Sequence, residues 1–496
     1  MLTQIESVLD ELNELREYCG RKDTLGLKDD TIIKFMDRDP ALLEAVRRAL
    51  DAFHSMDAEE QKLLRLDENS LAELLQEKFV NFYPKEGVNP YIPLAASGPW
   101  IVTTHGAVLH DSGGYGMLGM GHSPEEINEV IAKPWVMANV MTPSLSQKRF
   151  TDRLSREIGH TRSECPFTRF ICMNSGSEAV TITARITDIH AKIQTDPGAQ
   201  HSGKSIRTLA LEDGFHGRTG FPAKLSHSTR DDYERYLASF REDMKVDFIP
   251  VNDEAQLVEA YQNADREGIF YQAFYIEPVM GEGVPGLKVE RSYYDTARAL
   301  TTEHDSLLIV DSIQAAIRAE GCLSIVDYPD YTECEAPDME TYSKALNAGQ
   351  IPLSVVALRE ETARIYHKGV YGNTMTTNPR ALEAGCMVLD SITDELRENI
   401  RVKGRELKEK FLELKHDFPG AIDDVVGTGL MVSVLLNPEK YTVSGEGGFE
   451  QYLRLNGIEM IHGGPNGLRF TPHFGITSPE IDLIVEQVRE GLIALS

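Results

Sequence analysis

Residues 307–314 read LLIVDSIQ, four consecutive apolar residues that lead into Asp311, Ser312 and Gln314. A short apolar run of this kind is typical of a buried strand. Similar runs alternate with helical segments along the middle of the chain: RFICMN (169–174), TLALE (208–212), FYIEPV (274–279) and SVVAL (354–358). This alternation predicts an α/β fold with a mostly parallel sheet covered by helices.

Asp311 stands at the end of the apolar run. Burying a carboxylate is costly unless a partner stabilises its charge. The sequence therefore predicts a cationic group beside Asp311. The alternative interpretation is an aspartate at a strand end that caps a neighbouring turn.

Two turns follow the first two strand-like runs. Asn174–Glu178 reads NSGSE and opens a helix whose buried face would contain Ile182, Ile186 and Ile189. Backbone N–H groups and serine hydroxyls at such a helix start suit a phosphate, although an ordinary helix cap has the same pattern. Phe215-His216-Gly217 lies where an open α/β sheet holds its ligands. Phe215 could stack on a heterocycle there, or it could simply pack in the core.

Lys344 belongs to the run ETYSKALNAGQIPLS (340–354), directly after the strand-like segment METYS (339–343). A lysine amine with a lowered pKa can condense with an aldehyde. Most lysines are instead solvated at the surface, so this residue gains meaning only from the order of the surrounding motifs.

Taken together, the motifs resemble the class III aminotransferases, a family of fold-type I pyridoxal-phosphate enzymes that includes ω-amino-acid aminotransferases. The resemblance runs in order over roughly residues 90–490. The matching segments are GAVLHDSGGYGMLGMGH (106–122), NSGSEA (174–179), FHGRTG (215–220), IEPVMGEG (276–283), IVDSIQ (309–314), YSKAL (342–346), GNTMTTNP (372–379) and LRFTPHFGIT (468–477).

The resemblance assigns expected roles to individual residues around pyridoxal 5′-phosphate. Lys344 would hold the cofactor as a Schiff base, and Asp311 would pair with its ring nitrogen. Gly176 and Ser177 would bind the phosphate, Phe215 would stack on the ring with His216 beside it, Gln314 would reach the phenolic oxygen, and Thr374 would bind the phosphate of a second subunit. Glu282 would act as a gating glutamate, Arg469 would bind a substrate carboxylate, and Glu277 also matches a family glutamate. No metal site is predicted.

The sequence departs from the family pattern beside Asp311. The family usually has Asp-Glu-Val-Gln and then a glycine-rich turn with an arginine. Here Ser312 replaces the glutamate, AAIRAEG (315–321) replaces the turn, and the arginine is displaced to Arg318. Met375, Thr376 and Thr377 also differ from the usual residues of their segment. These changes bear on substrate identity more than on cofactor binding.

The resemblance implies a homodimeric aminotransferase. Such an enzyme would move an amino group from an amine or ω-amino acid to a 2-oxo acid, with 2-oxoglutarate the expected acceptor, by a ping-pong route. Two alternatives stay open at this point. One is a decarboxylase, racemase, aminomutase or lyase of the same family, and the other is a non-catalytic protein that retains the fold.

The chain is predicted to have four parts: an N-terminal helical extension (1–85), the N-terminal part of a small domain (86–150), a large cofactor-binding domain (151–380) and the C-terminal small domain (381–496). In the extension, Asp39 and Pro40 predict a helix start, and Ser70 with Glu73 predicts a capping box. The extension lies outside the resemblance. It is expected to be a helical cover packed on the body or on a partner subunit.

Composition excludes several classes of protein. The 496 residues carry a formal net charge of −28, which argues against general attraction to nucleic acid or anionic lipid. The six cysteines have no CxxC spacing, so neither a zinc site nor a disulfide framework is indicated. No segment approaches the ~18 apolar residues of a membrane span. A cytoplasmic protein with reduced thiols is expected.

Overall fold

A seven-stranded sheet forms the centre of one of the two units into which the chain divides. The computed structural model describes the backbone of residues 2–496 and the side chains of residues 5–85 and 87–496. Unit 1 comprises Met1–Glu125, Lys403–Val426 and Val432–Ser496, and unit 2 comprises Glu126–Val402 and Gly427–Met431.

The strands are β1 (Pro93–Ser97), β2 (Trp100–Thr103), β3 (Val108–Asp111), β4 (Arg169–Met173), β5 (Ser205–Leu211), β6 (Val246–Ile249), β7 (Ile269–Ile276), β8 (Leu307–Asp311), β9 (Met339–Tyr342), β10 (Ser354–Leu358), β11 (Ile422–Thr428), β12 (Met431–Leu436), β13 (Ile458–Glu459), β14 (Ile461–Gly463) and β15 (Gly467–Phe470).

The α-helices are α1 (Leu2–Tyr18), α2 (Asp29–Met36), α3 (Pro40–Ser55), α4 (Ala58–Leu63), α5 (Glu68–Gln76), α6 (Glu125–Ala132), α7 (Leu145–Glu157), α8 (Gly176–Thr195), α9 (Gly220–Leu225), α10 (Arg230–Tyr236), α11 (Glu254–Glu267), α12 (Arg291–Glu303), α13 (Glu360–Ile365), α14 (Pro379–Asp390), α15 (Asp394–Asp417), α16 (Phe449–Leu455) and α17 (Ser478–Ala494).

The sheet of unit 2 has the order β4-β10-β9-β8-β7-β5-β6. Its neighbouring pairs from β9 to β6 are parallel, and only β10 is antiparallel to both of its neighbours among the described strands. The prediction of a mostly parallel, helix-covered sheet is therefore confirmed. β8, the strand of the LLIVD run, is buried along its whole length between β7 and β9. On α8, Ile182 and Ile186 are buried as predicted, whereas Ile189 is only partly buried.

Unit 1 contains two four-stranded sheets, β1-β2-β3-β13 and β11-β12-β15-β14. Its N-terminal helices are attached to the first of these sheets by polar contacts. Asp39 caps α3 by accepting a hydrogen bond from Ala41 N at 2.9 Å, and its other oxygen accepts one from Trp100 Nε1 at 2.5 Å. Arg16 Nε donates to Gly106 O at 2.9 Å. The predicted start of α3 is confirmed, and the extension covers the body of its own unit.

The predicted capping box at Ser70 and Glu73 is wrong. Helix α5 begins at Glu68, two residues earlier, so Ser70 lies inside the helix. The buried carboxylate of Glu68 accepts hydrogen bonds from the backbone N–H groups of Asp23 and Thr24. Asp67 is the N-cap residue, and the Glu68 contact ties the first turn of α5 to residues 23 and 24.

The unit boundaries differ from the predicted domain boundaries at residues 150 and 380. Segments 126–150 and 381–402 belong to unit 2. Their helices α7 and α14 pack together there, and Arg149 Nε donates to Glu383 Oε1 at 2.8 Å. All six cysteines are free thiols, as expected. Within residues 2–496, no helix has the length and apolar character that crossing a membrane requires.

Candidate active site

Five predicted motifs meet at one edge of the unit-2 sheet. β5, β7, β8 and β9 run parallel, and β4 points the same way because the antiparallel β10 lies between β4 and β9. The segments that leave these strands at this edge are 174–178, 215–217, 277–283, 312–314 and 343–344. The carboxyl ends of parallel strands are where open α/β sheets bind ligands.

The NSGSE turn forms the start of α8. Ser175 is the N-cap residue, and its Oγ accepts a hydrogen bond from Glu178 N at 3.3 Å. Gly176 and Ser177 occupy the first helical turn, whose N–H groups have no acceptors within the helix and carry the positive end of its dipole. Ser354 Oγ donates to Ser175 O at 2.7 Å and ties the turn to β10. This arrangement suits an anion such as a phosphate.

The turn at Phe215–Gly217 touches the NSGSE turn. A Cβ atom added to Gly217 would collide with Ser177 Oγ, so only glycine permits this approach. Phe215 N donates to Glu277 Oε1 at 2.8 Å, and the guanidinium of Arg218 lies 5.4 Å from the centre of the Phe215 ring. The fold therefore brings the predicted phosphate site and the predicted aromatic platform together.

Asp311 is held by hydrogen bonds on both of its oxygens. Oδ2 accepts from His216 Nδ1 at 2.8 Å, and Oδ1 accepts from Thr341 Oγ1 at 2.9 Å and from Ile313 N at 3.2 Å. Burial by itself lowers the pKa of His216, but the hydrogen bond to Asp311 and the charges of Asp311 and Glu277 raise it above its usual value. His216 is thus a hydrogen-bond partner for Asp311 that the protein itself supplies.

Glu277 connects two turns behind the ring site. Besides Phe215 N, it accepts a hydrogen bond from Gly281 N at 3.0 Å. Burial raises the pKa of Glu277 to about 8, against the lowering effect of the nearby His216. A Cβ atom on Gly281 would collide with the side-chain amide of Gln314, so Gln314 packs directly on this turn.

Lys344 follows β9 in an unusual backbone conformation. Its φ angle is +32°, in a region that residues other than glycine rarely adopt. Both sides of the residue are fixed, because Ser343 Oγ and Asn347 Nδ2 donate to Leu353 O at 2.8 Å and 3.0 Å. Lys344 lies three residues after Thr341, which binds Asp311. A strained backbone at a lysine is compatible with a functional position, and Ala348 of the same turn also has a positive φ angle, of 51°.

These groups fit pyridoxal 5′-phosphate. The Oδ2 atom of Asp311 accepts one protein hydrogen bond, and a carboxylate oxygen can accept two, so it can also accept a protonated ring nitrogen. Gly176 and Ser177 offer the helix start for the phosphate, and Lys344 offers the amine for the aldehyde. The donors and acceptors match the chemistry of this cofactor.

Thr374 lies in the GNTMTTNP segment, where it is exposed to solvent. The segment is anchored beside the start of α8, because Asn373 Nδ2 donates to Glu178 Oε1 at 2.7 Å. The other oxygen of Glu178 accepts from Asn174 N at 2.8 Å. Thr374 is therefore exposed on a segment that is fixed next to the phosphate turn.

The predicted gating glutamate, Glu282, and the predicted carboxylate-binding arginine, Arg469, belong to different units. Glu282 is partly buried on a unit-2 turn, where Gly283 N donates to Asp213 O at 3.2 Å. Arg469 is buried in β15 of unit 1, between Ser433 of β12 and Ile461 of β14 in the strand register. The predicted exchange between Glu282 and Arg469 stays a prediction.

Among the described residues, His110, His473 and Glu480 of unit 1 lie close enough together to bind a metal ion. Glu480 Oε1 accepts hydrogen bonds from His110 Nε2 at 3.1 Å and His473 Nε2 at 2.8 Å, and its other oxygen accepts from Thr477 N at 2.7 Å. Although burial raises the pKa of Glu480, the two histidines hold it well below its usual range. Hydrogen bonding accounts for this group.

Sequence reasoning missed Thr341 and gave Glu277 no definite role. Thr341 sits one residue from Glu340 in β9, and only the pairing of β9 with β8 places its hydroxyl on Asp311. A local signal existed, since Thr341 shares the short strand that leads into Lys344. Its partner across the sheet is not readable from one strand.

Comparison with known proteins identifies the family. The aminotransferase class-III model matches residues 82–492, which leaves most of the N-terminal helices outside the match. Ornithine aminotransferase 2 of Staphylococcus aureus is 28% identical over 424 residues, covering 83% of this chain and 98% of that protein. Ornithine aminotransferase of Staphylococcus epidermidis is 28% identical over 425 residues with the same coverage.

Solved structures show the same fold. Ornithine aminotransferase from Toxoplasma gondii ME49 superposes with a TM-score of 0.73 at 21% identity, covering 88% of this chain and 97% of that one. N-acetylornithine aminotransferase from Stenotrophomonas maltophilia gives a TM-score of 0.65 at 21% identity, covering 85% and 98%. A second Toxoplasma gondii structure is described with partial occupancy of the cofactor at its active site.

Proposed function

We propose substrates, residue roles and an assembly for this chain, which belongs to the class-III aminotransferase family. The protein is a pyridoxal-phosphate-dependent transaminase with the fold-type I architecture. The observation that carries the residue roles is the convergence of five motif turns at one edge of the unit-2 sheet.

The residues of this edge divide the work of holding the cofactor and moving protons. Bound pyridoxal phosphate supplies an aldehyde that condenses with amines and a protonated ring that withdraws electrons. Lys344 would hold the cofactor through its amine and would act as the base that takes a proton from the substrate carbon. Asp311 would keep the ring nitrogen protonated. Gly176 and Ser177 would hold the phosphate, and Phe215 would pack against the ring.

The proposed donor is the terminal amine of an ω-amino acid of the ornithine type, and the proposed acceptor is 2-oxoglutarate. Two curated relatives are named ornithine aminotransferases, which supports this donor class. Arg469 would bind the carboxylate of the acceptor through a bidentate contact. Glu282 would neutralise Arg469 while the amine donor is bound and would move aside for the oxo acid.

The proposed assembly is a homodimer in the cytoplasm. Segment 136–145 exposes large apolar side chains, among them Met141 with 85% and Leu145 with 75% of their surface accessible. Exposed apolar surface of this size favours a partner. Thr374, exposed beside the phosphate turn, would then serve the site of the second subunit. Free thiols at all six cysteines support a reducing compartment.

The two half-reactions, measured separately, test the substrate assignment. Purified protein mixed with ornithine, 4-aminobutyrate or simple amines should convert the cofactor's visible spectrum to the amine form, and 2-oxoglutarate should restore it. Arg469→Ala should slow the oxo-acid half by about 10²-fold, as expected for a lost charge-assisted contact, and the amine half much less. Arg469→Lys keeps the charge, so its rate in the oxo-acid half-reaction should lie between those of Arg469→Ala and the natural protein.

Other outcomes would overturn parts of this assignment. Equal losses in both halves would remove the proposed roles of Arg469 and Glu282. Release of carbon dioxide or ammonia without an acceptor would instead indicate the decarboxylase or lyase alternative. Sedimentation of a fully active monomer would contradict the dimer.

A further inference from the structure

Glu340 is a fully buried carboxylate that none of the roles above uses. It lies in β9, opposite Val310 of β8, whereas its neighbour Thr341 lies opposite Asp311. Side chains alternate between the two faces of a sheet, so Glu340 and Asp311 are on opposite faces. Glu340 therefore sits behind the strands that carry the ring site.

The carboxylate of Glu340 binds both ends of one loop. Oε1 accepts hydrogen bonds from Ser312 Oγ at 2.5 Å and from Ile325 N at 3.0 Å. Oε2 accepts from Ser324 Oγ at 2.5 Å. Ser312 begins the segment that leaves β8, and Ser324 and Ile325 end it. Burial raises the pKa of Glu340 to about 7, against the lowering effect of these hydrogen bonds.

The loop between these ends carries a predicted cofactor contact. Gln314 lies two residues after Ser312 and packs on Gly281. Inside the loop, Ala316 N donates to Ser312 O at 2.8 Å, and Ile317 adopts a positive φ angle of 64°. A strained residue keeps its conformation only where the surrounding structure holds it. Side chains of α15 also donate hydrogen bonds to this loop, and Glu340 holds its two ends.

Two hydroxyl–carboxylate bonds hold the end of β8 to β9, one on each face. On the ring side, Thr341 of β9 donates to Asp311 of β8 at 2.9 Å. On the rear side, Ser312, the first residue after β8, donates to Glu340 of β9. The backbone contact Ser312 N to Thr341 O at 3.0 Å lies between them. Asp311 and the start of the loop are thereby fixed together.

We propose that Glu340 is a positioning residue for the cofactor, which closes the loop from Ser312 to Ile325 and so holds Gln314 and Asp311 in place. The inference rests on the proposed function, because it assumes that Asp311 and Gln314 bind the cofactor. Glu340 itself touches no substrate or cofactor atom in this role. The class III family usually has a glutamate at the position of Ser312. In this chain Ser312 instead binds the carboxylate of Glu340, which lies in the neighbouring strand β9.

Three variants test the inference. Glu340→Leu removes all three contacts, and Glu340→Gln keeps part of them and guards against a failure to fold. Asp338→Asn is the matched control, because Asp338 is a carboxylate of low exposure at the other end of β9. It binds Leu308 N at 2.8 Å and Arg298 Nη1 at 2.6 Å, away from the loop.

The first measurement is hydrogen exchange of residues 313–324 in the protein stripped of cofactor. We expect Glu340→Leu to speed exchange in this segment by about tenfold or more, with Glu340→Gln intermediate and Asp338→Asn unchanged there. The second is titration of the stripped protein with pyridoxal phosphate. The dissociation constant should rise by about tenfold for Glu340→Leu and stay within about twofold for Asp338→Asn.

A mutant cycle shows whether the serines act through Glu340. Ser324→Ala should weaken cofactor binding in the natural background but have little further effect in Glu340→Gln. Full additivity would overturn the inference, as would equal effects of Glu340→Leu and Asp338→Asn. Failure of the proposed function is distinguishable, because Asp311→Ala would then leave the spectrum of the bound cofactor unchanged whatever the exchange data show.

Discussion

Asp311 and Thr374 belong to the same unit and are both predicted to touch the cofactor, yet their surroundings differ sharply. Asp311 is buried and accepts hydrogen bonds on both oxygens from His216, Thr341 and Ile313. Thr374 is exposed on a segment that its neighbour Asn373 ties to α8 through a hydrogen bond. Residues of this chain alone hold the Asp311 carboxylate in place. The Thr374 segment is attached to α8, but the Thr374 side chain itself is exposed to solvent.

The difference shows what each side requires to work. A carboxylate that must keep a ring nitrogen charged has to be oriented before the cofactor arrives, since reorganisation in a buried site costs free energy. An exposed threonine can act on a phosphate only when another surface covers it. We therefore expect substitutions on the ring side to impair chemistry, and substitutions at Thr374 to impair cofactor affinity and assembly.

Lys344→Ala is the substitution with the largest expected effect. Normal turnover in this variant would contradict the catalytic role proposed for the side of the site that contains Asp311. Because Lys344 supplies both the amine and the base, turnover should fall by at least about 10³-fold. Borohydride reduction followed by peptide mapping should label Lys344 in the natural protein. A label on Lys224 or Lys368 instead would show that Lys344 is not the lysine that binds the cofactor.

Asp311→Ala should rank second. The cofactor should remain bound through its phosphate, while kcat falls by about 10²–10³-fold because the ring nitrogen loses the charge that keeps it protonated. Asp311→Asn, which keeps the shape, separates the charge from the packing. Near-normal kcat in either variant would contradict the idea that this side is prepared for chemistry.

Thr374→Ala should give a smaller and different effect. We expect the dissociation constant of pyridoxal phosphate to rise by about tenfold, as for one lost hydrogen bond to a phosphate, with kcat little changed at saturation. Thr332→Ala, another exposed threonine of unit 2, serves as the control. If Thr374→Ala and its control had the same dissociation constant, the segment would be only a turn before α14. The proposed role of Thr374 in binding the phosphate would then be wrong.

Asp39→Ala provides a baseline in unit 1, whereas Asp311 and Thr374 belong to unit 2. Loss of the α3 cap and of the contact with Trp100 should lower the free energy of unfolding by about 1–3 kcal/mol. Calorimetry should detect this decrease, while kcat per folded molecule stays unchanged. Asp39→Asn retains a capping oxygen and should lose much less. A specific loss of kcat would mean that the N-terminal helices influence the site.

A pH dependence of stability is expected from Glu277. Its pKa in the folded protein is about 8, above the ordinary glutamate value, so between roughly pH 4.5 and 8 the folded state keeps a proton that the unfolded state releases. This group therefore makes stability fall as pH rises through that window. Glu277→Gln should flatten the decline measured by chemical unfolding at several pH values. An unchanged slope would show that Glu277 is ionised behind the ring site.

Local patterns predicted much of the fold because they depend on neighbours in sequence. The LLIVD run became a buried central strand, and NSGSE became the first turn of a 20-residue helix. The capping box at Ser70 was wrong because the helix begins at Glu68, where Asp67 is the N-cap residue and Glu68 also contacts residues 23 and 24. Thr341 and Glu340 were not recognised because their partners lie on another strand.

The sequence by itself determined the order of the motifs, the alternation of strands and helices, and the residue types that pyridoxal phosphate requires. Only the tertiary structure decided that His216 and Thr341 hold Asp311, and that Glu340 binds both ends of the adjoining loop. The physical reason is that strand register joins residues far apart in the chain. A hydrogen bond across that register depends on two strands at once, and no single stretch of sequence specifies both.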